Sequence, residues 1–207
     1  MLLTGYKNVI WDYDGVIQDS MPTRERGFSM IFDQYPPHQV DELLAYHHAN
    51  GGLSRFNKIK YFYNTILGKE ITEEEVYAYA GRFSDVMRKA LTDKSLLISD
   101  SVEFIKNNYD KYQFHIASGS EQNELRFLLQ ELGLSSYFKT VYGSPVTKIE
   151  NVKNIIAENG YNPAETCLVG DSINDYDACV ANNISFIGYN NPALSHLGVG
   201  YISKFGV

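Results

Sequence analysis

Three apolar runs lying far apart in the chain end alike, in a short cluster of acids or hydroxyls beside a glycine. Val9-Ile10-Trp11 runs into Asp12-Tyr13-Asp14-Gly15, residues 112–117 run into Ser118-Gly119-Ser120, and residues 165–169 run into Gly170-Asp171. A short apolar run bounded by such residues reads as a buried strand. Residues 139–142 and 185–189 read as two further strands. Helical stripes alternate with them. One is Val102, Ile105 and Tyr109. The next is Leu125, Leu128, Leu129 and Leu132, stopped by Gly133. A third is Ile149, Val152, Ile155 and Ile156, stopped by Gly160, and the last spans residues 174–181. Strands alternating with helices call for a parallel sheet with helices on both faces. Such sheets bind ligands just beyond the carboxyl ends of their strands, and every polar cluster falls there.

From Ser20 to about Lys94 the pattern is helical throughout. Ser20 and Pro22 mark a start, a hydroxyl cap with proline in the first turn. Residues 24–35 form one helix, broken by Pro36-Pro37, and residues 39–49 a second, broken by Gly51-Gly52. Ser54 caps a third, with the stripe Phe56, Ile59, Tyr63 and Ile66. Thr72-Glu73-Glu74-Glu75 opens a fourth, with acids where the helix dipole favours them. Four helices without an intervening strand read as an insertion, which suits a chain of 207 residues. The expected division is an α/β core of residues 1–18 and 96–207 and a helical cap of residues 19–95. The fold class is α/β: a Rossmann-like parallel sheet plus an inserted four-helix cap.

If Asp12, Asp171 and Asp175 converge in one crevice, they repel one another and raise each other's pKa. A divalent cation relieves that repulsion, and oxygen ligands with room for water suit Mg²⁺ rather than Zn²⁺. Ser118 followed by Gly119, opening a helix, offers N–H groups and a dipole end to an anion. Lys148 supplies a compact positive charge; Lys139 and Lys153 are its rivals. The net charge of −7 argues against nucleic acid or an anionic membrane as the main partner. An anionic substrate would need local cations or a metal against that background. No apolar run approaches the ~20 residues of a membrane span. Met1-Leu2-Leu3-Thr4 has no basic or apolar signal character. Cys167 and Cys179 fall in apolar patterns and read as reduced core residues, with a cytoplasmic setting as the default. No feature of the sequence sets the oligomeric state.

Asp12-Tyr13-Asp14-Gly15-Val16-Ile17-Gln18-Asp19-Ser20, Ala117-Ser118-Gly119-Ser120, Lys148, and Gly170-Asp171-Ser172-Ile173-Asn174-Asp175 resemble, in order, the four motifs of the haloacid dehalogenase superfamily. The resemblance spans essentially the whole chain. The helical insertion after the first motif looks like the cap of the phosphoglycolate phosphatase and β-phosphoglucomutase branch. The lysine segment, Gly143-Ser144-Pro145-Val146-Thr147-Lys148, departs mildly from the more usual Lys-Pro. The resemblance implies that Asp12 attacks phosphorus and forms an aspartyl-phosphate. Asp14 would protonate the leaving oxygen and then deprotonate water. Ser118, Gly119 and Lys148 would hold the phosphoryl oxygens. Mg²⁺ would be bound by the Asp12 carboxylate, the Asp14 carbonyl and Asp171, with Asp175 in reach. An acid at Asp14 also separates phosphatases and phosphomutases from the dehalogenases. Its proton-donor role predicts a pKa above that of Asp12.

In the cap, Gly52, Arg55 and Lys58 are the candidates for substrate contact. Arg55 lies in a first helical turn, where the dipole opposes a cation, and Lys58 shares its face. That pattern points to an anionic or polyhydroxylated leaving group. His47 and His48 read as surface or partly buried, and Asp177 as a surface acid. The expected function is Mg²⁺-dependent hydrolysis of a small phosphorylated metabolite, a sugar phosphate or phosphoglycolate-like compound. The alternatives are a phosphomutase of the β-phosphoglucomutase type and a non-catalytic phosphometabolite-binding protein.

Overall fold

The structure, a computed structural model, describes residues 2–206. The chain runs β1 (Asn8–Trp11), α1 (Met21–Ile31), α2 (Pro37–Ala49), α3 (Arg55–Tyr61), α4 (Glu73–Ala90) and α5 (Ser99–Asn108). It continues β2 (Gln113–Glu121), α6 (Gln122–Glu131), β3 (Thr140–Ser144), α7 (Lys148–Asn159), β4 (Thr166–Gly170), α8 (Ile173–Asn182), β5 (Ser185–Tyr189) and β6 (Gly200–Ile202). The strands form one parallel sheet in the order β3-β2-β1-β4-β5-β6. β6 was not expected from the sequence: it is three residues long at the sheet edge, too short for a periodic signal.

Alternation along the strands explains the layers. Val9 pairs with Phe114 and Cys167, and Trp11 with Ile116 and Val169. These side chains face one core with the leucines of α6 and with Phe104 and Ile105 of α5. Ile10, Ala117 and Leu168 point the other way, onto Val152 and Ile155 of α7 and Ala178 of α8. Successive strand side chains must take opposite faces, so β1 is covered on both sides. Val9, Ile10 and Trp11 have no exposed surface, and each such apolar side chain contributes about 1.5–3 kcal/mol by burial. The result is a rigid strand that delivers Asp12 at its end.

The insertion is helical as expected. Thr72 and Glu75 start α4 with reciprocal side-chain-to-backbone bonds at 3.3 and 2.9 Å. α3 continues into a π-helical turn at Phe62–Ile66. The cap helices pack on aromatic pairs, Phe28 with Phe83 at 4.5 Å and Phe32 with Phe62 at 4.3 Å between centroids. The two chain crossings into the core lie side by side. Asp19 N–H donates to Leu96 O at 2.8 Å, and Ile98 N–H to Ile17 O at 2.9 Å. Among the described residues, no helix is long and apolar enough to cross a membrane.

Two local expectations are corrected. β2 does not stop at Ala117. It runs through Ser118-Gly119-Ser120 to Glu121, which still pairs with Ser144. The cap of α6 is therefore Glu121, whose carboxylate accepts from the N–H groups of Asn123 and Glu124 at 3.0 and 2.8 Å. Ser20 precedes α1 but makes no side-chain capping bond, because its hydroxyl is committed to Asp14.

Candidate active site

Asp12 and Asp171 are the first residues beyond β1 and β4, the neighbouring strands at which the strand order reverses. That reversal opens the crevice in which such sheets bind ligands. Asp12 Oδ1 accepts from Tyr13 N–H at 2.8 Å, and Lys148 Nζ lies 3.0 Å from Asp12 Oδ2. Lys148, at the start of α7, also bonds Asp175 Oδ1. The second Asp175 oxygen accepts from Ser172 N–H at 3.0 Å and Ser172 Oγ–H at 2.6 Å. Asp175 thus ties Lys148 to the first turn of α8. Gly15 is required here twice over. Its φ is +76°, and a Cβ would overlap the Asp171 carboxylate.

Asp12, Asp171 and Asp175 each offer an oxygen, and these lie within 4.8 Å of one another. Burial, then the neighbouring carboxylates, push the Asp12 carboxyl up to about 7 despite Lys148. Burial and the charges of Asp12 and Asp175 push Asp171 up to about 8. Burial works against the Lys148 ammonium, but Asp12 and Asp175 outweigh it and raise its pKa. Three carboxylates sharing one cation leave a net negative pocket. An all-oxygen set of this kind fits a hard divalent ion such as Mg²⁺.

The Asp14 side chain points away from that group. It accepts from Arg24 Nε at 2.8 Å, Ser120 Oγ at 2.6 Å and Ser20 Oγ. Burial alone would raise its pKa, but the Arg24 guanidinium and the hydrogen bonds from Ser120, Ser20 and Arg24 hold it below the ordinary carboxylate range. The metal-free order is the opposite of the Asp14-above-Asp12 order expected for a metal-loaded site: burial and neighbouring carboxylates raise Asp12, and Arg24 of α1, reaching over Asp14, lowers that group. Ser118 is buried, and its Oγ accepts from Ser120 N–H at 3.1 Å. Since β2 runs on to Glu121, Ser118 and Gly119 present an irregular stretch of strand to an anion rather than a helix terminus. Lys139 is exposed, and Lys153 is exposed beside Glu150 at 3.8 Å.

The cap covers the strand ends with its glycine loop. A Cβ on Gly119 would lie 2.5 Å from Gly52 O, and one on Gly52 would overlap Ser172 Oγ. Arg55 lines the cavity, but its guanidinium is engaged. It forks onto Glu124 at 2.6 and 2.8 Å, bonds Ser84 Oγ at 2.7 Å and stacks over Phe83 at 4.5 Å. Glu124, from α6 of the core, also receives Arg24 Nη1 at 3.1 Å. Asp14, Arg24, Glu124 and Arg55 form one chain of alternating charge across the seam between cap and core, buried at its last three members. Lys58 is buried, with Nζ 2.9 Å from His47 Nδ1 and 3.3 Å from Gly51 O. Burial lowers its pKa to about 7; Asp14 opposes that shift, while Arg24 and Arg55 add to it. His47 is buried, contrary to the sequence reading, and packs its ring 5.1 Å from that of Phe28. His48 remains exposed beside Glu25, and Asp177 is exposed as expected.

Together these residues enclose a cavity of about 320 Å³, lined by Asp12, Asp14, Arg24, His47, Gly52, Arg55, Lys58, Gly119, Asp171 and Asn174 among others. Its size suits a small metabolite. Lys148 sits below it, on the wall of a second opening at the seam. The sequence reading did not assign Arg24, Ser120, Glu124 or His47 to the site.

Comparison with known proteins agrees with this architecture. The family model described as haloacid dehalogenase-like hydrolase matches residues 9–189. No curated protein matches the sequence. Among solved structures, β-phosphoglucomutase from Clostridium difficile superposes with a TM-score of 0.76 at 14% identity, over 96% of this chain and 91% of that one. A predicted phosphoglycolate phosphatase from Haemophilus somnus 129pt gives a TM-score of 0.74 at 16% identity, over 98% and 96%. A protein described as a HAD-hydrolase, YfnB from Bacillus subtilis bound to magnesium, gives 0.69 at 15% identity, over 96% and 95%. At these identities the likeness concerns the fold.

Proposed function

The chain belongs to the haloacid dehalogenase-like hydrolase family, and on that premise we propose that it is a Mg²⁺-dependent phosphatase of small phosphorylated metabolites. One observation carries the reading. The Asp12 carboxylate lies in a capped cavity with Lys148 at 3.0 Å, two further carboxylates within 4.8 Å, and a second acid, Asp14, lining the same cavity.

In this reading the phosphoryl group sits between Asp12, Lys148 and the Ser118-Gly119 stretch of β2. The Asp12 carboxylate attacks phosphorus, a bond to its oxygen forms, and the ester bond to the leaving oxygen breaks. Asp14 gives its proton to that oxygen. Water then attacks the aspartyl-phosphate, Asp14 takes the proton back, and Asp12 is released. Asp12, Asp171 and Asp175 would hold Mg²⁺, which when bound would supply charge neutralisation for the phosphoryl oxygens. Lys148 stays cationic throughout, because two carboxylates raise its pKa. The contacts from Arg24, Ser20 and Ser120 favour the anionic form of Asp14, the form needed for the water step. Proton donation then requires the leaving group to draw Asp14 out of that cradle. The Gly51-Gly52 loop and the cap exclude bulk water, which strengthens every charge interaction inside.

The test is phosphate release from p-nitrophenyl phosphate with and without Mg²⁺. Asp12→Asn should abolish turnover, and Asp14→Asn should lower kcat by about 10²–10⁴. Equal rates in the wild type and both variants would refute the mechanism.

A further inference from the structure

Three cations of the cap line the cavity: Arg24, Arg55 and Lys58. Two are neutralised, Arg24 by Asp14 and Glu124, and Arg55 by Glu124. Lys58 differs. Among the described residues no carboxylate forms an ion pair with it, and its two partners are neutral, His47 Nδ1 and Gly51 O. An ammonium has three N–H donors, so one is left over. With Lys58 as an ammonium, His47 Nδ1 must accept, which puts the imidazole proton on Nε2. That N–H is buried and has no partner among the described residues. Burial, then Lys58, lowers the His47 pKa to about 3, consistent with a neutral ring.

A buried cation without a counterion is costly to keep, and an apolar side chain would fill the position more favourably. Its position is also informative. Lys58 is bonded to Gly51, and the next residue, Gly52, packs on Gly119 and Ser172. The free donors therefore belong to the cap wall of the cavity whose floor carries Asp12 and Asp171. The leaving group of a phosphoryl ester on Asp12 would face that wall.

We propose that Lys58, backed by His47, is the specificity-determining residue of this site, receiving an anionic oxygen carried on the substrate's leaving group, a carboxylate or a second phosphate. This rests on the phosphatase reading above. It also separates two residues that the sequence pattern treats alike: Arg55 clasps cap to core, and Lys58 meets the substrate.

The experiment compares kcat/KM of the full chain in Mg²⁺ for matched substrate pairs. 2-Phosphoglycolate against 2-hydroxyethyl phosphate reads the carboxylate. 1,3-Propanediol bisphosphate against 3-hydroxypropyl phosphate reads the second phosphate. The wild type should prefer the anionic member of one pair by about 10- to 100-fold, the effect of a hydrogen bond to a charged group. Lys58→Met should erase that ratio and melt at or above the wild-type temperature. A wild type that hydrolyses p-nitrophenyl phosphate but shows no preference in either pair would overturn the Lys58 assignment alone. So would a preference that survives in Lys58→Met. A variant that fails to fold, or melts well below wild type, would make Lys58 a structural tie and overturn the assignment as well. A wild type inactive on all five esters would refute the phosphatase reading, and the Lys58 assignment would fall with it.

Discussion

Glu124 holds two arginines of the cap to a helix of the core, and its replacement by glutamine tests whether that clasp closes the cap. The Glu124 side chain has no exposed surface, and those of Arg24 and Arg55 are 7% and 3% exposed. Solvent screening of the pairs is therefore slight. Glutamine keeps the shape but removes the charge, leaving Arg55 on a neutral amide and Arg24 with Asp14 as its carboxylate partner and Ser120 as its hydroxyl partner. Breaking a buried pair by removing one partner costs about 3–5 kcal/mol. For a chain of this length that lowers Tm by about 6–20 °C. The pH dependence carries a definite sign. Burial alone would raise the Glu124 pKa, but Arg55 and then Arg24 lower it below its ordinary 4.5. A carboxyl depressed on folding contributes stability that is complete above its unfolded pKa and is lost as pH falls through the folded value. The gap between wild type and Glu124→Gln should stay constant from pH 7 to about 5.5 and shrink below about 4.5. Urea unfolding of both proteins across that range measures it. A difference under about 0.5 kcal/mol at pH 7, or a gap that persists undiminished at low pH, would refute the clasp.

Gly119→Ala should lower kcat/KM for p-nitrophenyl phosphate by about 10²-fold, because its Cβ would lie 2.5 Å from Gly52 O and lift the cap loop; unaltered kinetics would mean the loop does not set the reacting geometry. Magnesium should raise Tm more at pH 8 than at pH 5.5. Asp12 and Asp171 have folded-state values of about 7 and 8, above their ordinary 3.8, so their metal-free contribution to stability falls as pH climbs between those limits. Scanning fluorimetry with Mg²⁺ and with EDTA reads the two increments, and equal increments would contradict the shared-carboxylate cluster.

The strand ends were legible because their signals are local. Val9-Ile10-Trp11 announces a buried strand, and an acid straight after it can stand only at the strand's carboxyl end. The convergence of Asp12 with Asp171 follows from strand order, which alternation and crossover rules constrain. The extent of β2 was harder, since Ser118-Gly119-Ser120 is good turn chemistry and the ladder with β3 resumes only beyond it, at Glu121 and Ser144. The charge chain through Arg24, Glu124 and Arg55 left no local trace. Glu124 reads as a polar position beside the leucine stripe of α6, and Arg24 as an ordinary cap-helix cation. They meet only because the cap folds back over α6. The lowered pKa of Asp14 follows from that same closure. His47 misled for the opposite reason: its neighbour His48 is exposed, and only the packing of α2 against Phe28 and α3 separates the two.

The hydrogen-bonded crossings at Ile17–Asp19 and Leu96–Ile98 also bear on how such a molecule can be altered. An insert whose two ends leave the host side by side can be exchanged for another with little change in loop-closure entropy. The strand register that aligns Asp12, Ser118 and Asp171 does not pass through it. A chimera receiving a different segment between those crossings should keep the chemistry proposed for Asp12 and acquire the donor's taste in leaving groups. The transplant would have to be matched to Asp14 and above all to Glu124, the core carboxylate that, among the described residues, pairs with both Arg24 and Arg55.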